Sequence, residues 1–258
     1  MTKNIVFFDI DGTLLNDAKQ IPSSAKKAIQ ALQKTGVMVA IATGRAPFMF
    51  KELREELGID SFVSFNGQYV VLEGKTIYEN PLEKEELIHL YEAASREEFP
   101  MIFMHSDEMR ASVENHPYIE KSMVSTLKFD YPPIDTTYYD KQKIYQALLF
   151  CKDQEERKFR ELHHAFDFIR WHDVSCDVLP GGASKAIGIK KLIEAYGVDI
   201  AHTYAFGDGL NDIEMIREVG TGVAMGNAVA ELKEIADYVT DPVNQGGIAN
   251  GLKHLQLI

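Results

Sequence analysis

The sequence holds only two cysteines in 258 residues, Cys151 and Cys176, with no Cys-x-x-Cys pair. That excludes a disulfide framework and argues against a structural zinc site; two reduced thiols are expected instead. No apolar run approaches the ~18 residues of a membrane helix. The first residues lack the basic segment and following apolar stretch of a secretory leader. A cytoplasmic protein with no membrane partner is therefore expected. Basic residues are scarce as well: 27 Lys and Arg stand against 39 Asp and Glu, a formal charge of −12. Such a surface repels a phosphate backbone, so nucleic acid is not an expected partner. There is no internal repeat and no low-complexity tract.

What is present is a globular composition, 45% hydrophobic and 26% charged, long enough for one large domain or two modest ones. Its most informative stretch is Ile5-Val6-Phe7-Phe8-Asp9-Ile10-Asp11-Gly12-Thr13. Four apolar residues in a row predict a strand buried on both faces, and acids at its C-terminal end stand where open α/β sheets place their chemistry. Ala25, Ala28, Ile29 and Leu32 then mark one face of a helix stopped by Gly36. Val37–Ala42 predicts a second buried strand running into Thr43-Gly44-Arg45, and a helix with Leu53 and Leu57 inward follows. Phe62–Phe65 predicts a third strand, Asn66-Gly67 a tight turn, and Tyr69–Leu72 with Thr76–Tyr78 a hairpin.

Between about Pro81 and Gly182 this alternation disappears. A helix over Glu83–Ser95 and strands at Met101–His105, Ile144–Cys151, Phe168–Trp171 and Ser175–Leu179 predict an inserted α+β domain. Asp153 and Glu156 form a capping-box pattern for a helix with Phe159, Leu162 and Phe166 inward. His163 and His164 read as a surface pair on that helix, and Trp171 as core. The stretch Asn115–Tyr139 has no clear pattern. Alternation resumes at Ser184, with a helix lined by Ile187, Ile189, Leu192, Ile193 and Tyr196. A strand His202–Phe206 follows, ending in Gly207-Asp208-Gly209-Leu210-Asn211-Asp212, and the rest of the chain alternates to its last helix. The expected organisation is an α/β, doubly wound, mostly parallel Rossmann-like core sheet over residues 1–80 and 183–258, interrupted by an α+β domain at 81–182.

In that arrangement the acids Asp9, Asp11, Asp208 and Asp212 meet at one sheet edge, with Thr43, Gly44 and Lys185. Crowded carboxylates repel, and a hard cation relieves them; an all-oxygen set suits Mg²⁺ better than Zn²⁺. A cation, a Thr hydroxyl, a Lys and glycine-exposed amides describe a phosphoryl pocket. Asp9 can attack phosphorus and form an aspartyl-phosphate; Asp11 can carry a proton to the leaving oxygen and later activate water.

The ordered set Asp9-x-Asp11-Gly12-Thr13, Thr43-Gly44-Arg45, Lys185 and Gly207-Asp208-x-x-Asn211-Asp212 resembles the haloacid dehalogenase superfamily. The insert resembles the C2 cap of its Cof-type, subclass IIB sugar-phosphatase branch. The resemblance spans the chain. It implies Asp9 as nucleophile and Asp11 as general acid/base. It implies Mg²⁺ held by Asp9, the Asp11 carbonyl and Asp208 with Asp212 close by, and phosphate bound by Thr43, Lys185 and Asn211. One departure is Ala186 after Lys185, where many relatives have Gly.

Plainer readings stand beside these. Asp9-x-Asp11-Gly12 does not fit an EF-hand, whose Gly falls at position 6. Asp208–Asp212 taken alone is a turn with a helix cap, and Lys185 alone a solvated lysine. Arg45 could touch substrate or cap, or pair with an acid. His105, Arg110, Arg170, His172 and Asp177 are polar residues of the insert that could face substrate, and Asp177, with Arg45, is the expected substrate or cap contact. The expected activity is Mg²⁺-dependent hydrolysis of a small phosphate ester such as a sugar phosphate. The alternatives are a phosphomutase with the same nucleophile and a catalytically silent binding or regulatory relative.

Overall fold

The computed structural model describes residues 3–258, which divide into two compact units. One comprises the residues up to Arg45, Met49–Glu79 and Ser184–Ile258; the other comprises Ala46–Phe48 and Asn80–Ala183. Among the described residues no helix is long and apolar enough to cross a membrane.

The first unit is built on an eight-stranded sheet. In chain order its elements are β1 (Ile5–Phe8), α1 (Ser23–Lys34), β2 (Met38–Ala42), α2 (Lys51–Leu57), β3 (Ser61–Ser64), and the hairpin β4 (Tyr69–Leu72) and β5 (Lys75–Glu79). Chain order continues in the second unit with α3 (Lys84–Arg96), β6 (Met101–Met104), β7 (Met109–Ala111), α4 (Pro117–Ile119), α5 (Tyr138–Lys141), β8 (Gln146–Leu149), α6 (Asp153–Leu162), β9 (Phe166–His172) and β10 (Ser175–Pro180). The first unit then resumes with α7 (Lys185–Tyr196), β11 (Thr203–Gly207), α8 (Ile213–Glu218), β12 (Thr221–Ala224), α9 (Ala230–Ile235), β13 (Tyr238–Val239) and α10 (Gly247–His254).

The sheet order is β13-β12-β11-β1-β2-β3-β4-β5, parallel from β13 through β3 and antiparallel in the β3-β4-β5 hairpin. Successive side chains of a strand point to opposite faces, so each central strand must be apolar throughout to be covered on both sides. Val6 and Phe8 join Val39, Ile41, Phe62 and Phe206 under α1, α2 and α10, through Ala25, Ile29, Leu32, Leu53, Ile248 and Leu252. Ile5 and Phe7 join Ala40, Ala42, Val63 and Ala205 under α7, α8 and α9, through Ile189, Leu192, Ile193, Met215 and Leu232. All four residues of β1 are fully buried. Each large apolar side chain so removed from water contributes ~1.5–3 kcal/mol, which anchors the strand in the sheet. Ile187, expected inside, lies on the exposed side of α7. Lys185 and Gly188 are buried there instead.

The second unit is a five-stranded antiparallel sheet, ordered β7-β6-β8-β10-β9. Met101, Phe103, Ala147, Leu149, Phe168, Cys176 and Val178 form its core with Leu87, Leu90, Ala94 and Phe159 of α3 and α6. Both cysteines are free and buried.

Several expectations for this unit are corrected. Strand β7 carried no sequence signal. The unpatterned stretch forms α4, which runs into a π-helical segment over Glu120–Thr126, and later α5. Helix α6 starts one residue earlier than its capping pattern implied: Glu155 accepts from the Lys152 amide at 2.6 Å, so Lys152 is the cap. Glu156 is thereby turned inward. The helix also ends at Leu162, which is 71% exposed, and Phe166 belongs to β9. His163 is not a surface residue: it is buried and stacks on Phe159. Trp171 is half-buried. Of the polar candidates, Arg110 pairs with Glu108, and His172 shares a 3.3 Å hydrogen bond with Thr126.

Glu156 forms ion pairs with Arg160 and Arg170. Its carboxylate is almost wholly out of water, whereas the two guanidinium groups keep partial solvent contact. Breaking a fully buried pair costs ~3–5 kcal/mol. Glu156→Gln should therefore destabilise this unit by about 2–3 kcal/mol, the lower figure reflecting that partial solvation. Urea unfolding followed by fluorescence of Trp171, the chain's only tryptophan, measures it.

Candidate active site

The site lies at the C-terminal ends of β1, β2 and β11, neighbours in the sheet, with the first residue of α7 beside them. Asp9 follows directly on β1, and its amide donates to the Phe206 carbonyl at 3.0 Å, which extends the pairing with β11 by one residue. Its carboxylate is thus set by a strand buried on both faces.

Lys185 is the central group. Its side chain is fully buried, and Nζ donates to Asp9 Oδ1 at 2.5 Å and to Asp212 Oδ1 at 2.6 Å. The remaining oxygen of Asp212 accepts from the amides of Asp208 and Gly209, at 2.9 and 3.0 Å. Asp212 therefore folds the loop after β11 around itself and ties it to Lys185. Asp208 is placed by that loop. Its Oδ1 accepts from Thr13 at 3.3 Å, and its Oδ2 lies 3.4 Å from Asn227 Nδ2. Asn227 also donates to the Gly12 carbonyl at 2.8 Å and accepts from the Val243 amide at 2.8 Å, so it joins three loops. Gly12 has φ +80, and a Cβ there would lie 2.0 Å from Asp208 Oδ2. Only glycine allows β1's loop and Asp208 to approach this closely.

Asp9, Asp208 and Asp212 each bring a carboxylate oxygen within 4.8 Å of one another, the only such group among the described residues. One ammonium faces three carboxylates, and the excess shows in the proton affinities of Asp9 and Asp208. Burial pushes Asp9 up to about 8; Lys185 opposes this, and Asp212 and Asp208 add to it. Burial and Asp212 push Asp208 up to about 6, against the pull of Thr13 and Lys185. Burial disfavours the Lys185 charge, yet Asp212 and Asp9 hold its pKa above the ordinary lysine range. An all-oxygen cluster with surplus negative charge suits a hard divalent cation.

Asp11 stands apart from that cluster. Its carboxylate is gripped by Arg45, with Nε to Oδ2 at 2.8 Å and Nη2 to Oδ1 at 2.7 Å, and Lys19 donates to Oδ1 at 2.6 Å. Burial works against the charge, but Arg45 and Lys19 hold the Asp11 carboxyl below the ordinary range. Of the readings open for Arg45, pairing with an acid is the one realised. Thr43 is buried at the end of β2, and its hydroxyl accepts from the Arg45 amide at 3.1 Å, which leaves its proton free to donate. Gly44 lies between them. Asn211 is exposed on the turn Leu210–Asp212. Asp177 belongs to the other unit, on β10; burial pushes it up to about 7, against the opposing pull of the Gln146 and Trp171 side chains. The sequence reading missed Thr13's bond to Asp208 and passed over Asn227 altogether. A Gly-Asn pair directly after an apolar strand was the available signal.

A family model described as haloacid dehalogenase-like hydrolase matches residues 6–252. The chain is 51% identical over 258 residues to the putative phosphatase YkrA of Bacillus subtilis, covering 100% of both. A crystal structure of a hypothetical protein from Geobacillus kaustophilus superposes with a TM-score of 0.97 at 58% identity, covering 99% of this chain and 100% of that one. A sugar phosphatase of HAD subclass IIB superposes with a TM-score of 0.84 at 30% identity, covering 99% and 100%.

Cations compete with protons for these carboxylates. Because Asp9 and Asp208 hold protons up to about pH 8 and 6, divalent-cation affinity should rise steadily from pH 6 to pH 8.5, with protons released on binding. Calorimetric titration in two buffers of different ionisation enthalpy measures both; affinity flat across this range would contradict the charge balance described. The chain belongs to the haloacid dehalogenase-like hydrolase family.

Proposed function

We propose that this phosphatase hydrolyses a small phosphate ester, a sugar phosphate being the best-suited class, with Mg²⁺ and through an aspartyl-phosphate on Asp9. The observation that carries the reading is the placing of Asp9 at the end of a fully buried strand. There it is hydrogen-bonded to a buried Lys185 and within cation-sharing distance of Asp208. The subclass IIB sugar phosphatase at 30% identity supports the substrate class.

Asp9 attacks phosphorus as the bond to the leaving oxygen breaks, and Asp11 donates the proton that oxygen needs. Asp11 then takes a proton from the water that cleaves the acyl phosphate, and phosphate leaves. Thr43, Gly44, Lys185 and Asn211 bind the phosphoryl oxygens. Asp9, the Asp11 carbonyl and Asp208 would hold Mg²⁺, with Asp212 fixing their loop from behind. When bound, Mg²⁺ supplies positive charge to the transferring phosphoryl group. Arg45 governs Asp11: the ion pair keeps Asp11 ionised, the state that activates water, and must loosen before Asp11 can carry a proton. Asp177 of the inserted unit, which we read as the cap of residues 81–182, is assigned to the leaving group. The partner is a small molecule, neither nucleic acid nor membrane, and the enzyme is cytoplasmic, in keeping with two free thiols.

Free phosphate measured over a panel of esters with Mg²⁺ tests this reading. Wild type should release phosphate and lose activity with EDTA. Asp9→Asn should be inactive, and Asp11→Asn should fall by about 10²–10⁴-fold. Transfer to a second hydroxyl without release would make the enzyme a mutase; no release from any ester would end the reading. A pH profile checks the part given to Arg45. Since Arg45 lowers the Asp11 pKa, Arg45→Met should move the limb at which the general acid loses its proton to higher pH.

A further inference from the structure

The loop joining β3 to β4 holds three successive residues in the left-handed region: Phe65 at φ 49, Asn66 at φ 50 and ψ 44, and Gly67 at φ 96. Glycine adopts this freely, asparagine tolerates it, and phenylalanine is strained there. Such strain persists only where the surroundings enforce it, and it gathers at functional sites.

The strained loop is anchored on both sides. The Asn66 amide donates to the Thr43 carbonyl, and the Phe65 amide to the Arg45 carbonyl, each at 3.2 Å. On the other side Gly67 is pressed against the residue before Lys185. A Cβ on Gly67 would lie 2.0 Å from the Ser184 carbonyl oxygen. Asn66 is therefore carried between two elements that the phosphatase reading assigns to phosphate binding.

Its side chain faces Gly44. A Cβ at Gly44 would lie 3.0 Å from Asn66 Oδ1 and 3.1 Å from Nδ2, so a side chain at that position would crowd the carboxamide. Asn66 is 8% exposed, yet its carboxamide makes no hydrogen bond with any described residue. The carboxamide atoms are not sealed from solvent, so their hydrogen-bonding capacity stays open to a small molecule. An Asn chosen only for its turn commonly bonds its side chain to nearby backbone, and this one does not.

We propose that Asn66 is a substrate-binding residue whose Nδ2 donates to a phosphoryl oxygen of the ester held at Thr43, Gly44 and Lys185. The inference rests on the phosphatase reading for its ligand. It explains the three left-handed residues, the bare Gly44 and the unpartnered amide together.

The test uses inorganic phosphate as the probe, by calorimetry and by competition with ester hydrolysis, on wild type, Asn66→Gly and Asn66→Asp. Both replacements tolerate the left-handed backbone, and melting curves verify that each remains folded. Asn66→Gly should weaken phosphate binding by about 10–100-fold, the loss of one hydrogen bond to a charged group. Asn66→Asp should weaken it further by facing a carboxylate to the anion, with KM for the ester rising in step. Phosphate affinities within about twofold of wild type in both variants would reduce Asn66 to a turn-former and overturn the proposal, as would a wild type that does not bind phosphate. A wild type that binds phosphate with this dependence on Asn66 but hydrolyses no ester would sink the phosphatase reading and leave this one standing.

Discussion

The interaction on which the site depends is the buried ammonium of Lys185 between Asp9 and Asp212. It joins three places far apart in the chain: the end of β1, the loop after β11 and the start of α7. An unpaired lysine could not stay charged at this depth, and without it the acids on either side would face each other with nothing between them to offset their repulsion. Each group makes the others tenable. Asp212 passes the constraint on, because its second oxygen organises the amides that set Asp208. The acids are thus placed before any ligand arrives, which is the condition for a preorganised centre.

That centre is deliberately out of charge balance. One ammonium cannot neutralise three carboxylates, and burial magnifies the deficit, so Asp9 and Asp208 hold protons well above the usual carboxylate range. Asp11, two residues beyond Asp9, meets the opposite environment: Arg45 and Lys19 hold it ionised. A two-residue step along the chain, taken just past a rigid strand, separates two acids electrically. Such a separation lets neighbouring carboxylates take different parts in one reaction.

Much of the architecture was legible in the sequence, for identifiable reasons. The runs Ile5–Phe8 and Val37–Ala42 are apolar at every position, a pattern that only burial on both faces explains. α1 repeats its small and aliphatic residues at the helical period. The inserted unit was harder to read. α6 carries acids at Asp153, Glu155 and Glu156, so its cap could be placed at either of two adjacent positions. With the cap at Lys152, Glu155 makes the capping contact and Glu156 is buried instead. Leu162 and His163 were misassigned because the helix ends between them. The π-helical turn at Glu120–Thr126 lacks the 3.6-residue period that a pattern reading relies on.

By itself the sequence determined which residue types stand at the ends of β1, β2 and β11, because strand, turn and motif lie within a few residues of each other. It also determined that these strands are buried. Only the tertiary structure decided who meets whom. The partners Lys185 and Asp9 are separated by 176 positions, and their meeting follows from α7 packing on the face of the sheet that carries Ile5 and Phe7 of β1. That Arg45 closes on Asp11, that Asn227 binds three loops and that Asn66 lies against Gly44 are likewise consequences of packing. The reason is physical: local propensity acts over one turn or one strand. Electrostatic pairing in a buried site acts over a few ångströms of space, whatever the distance along the chain.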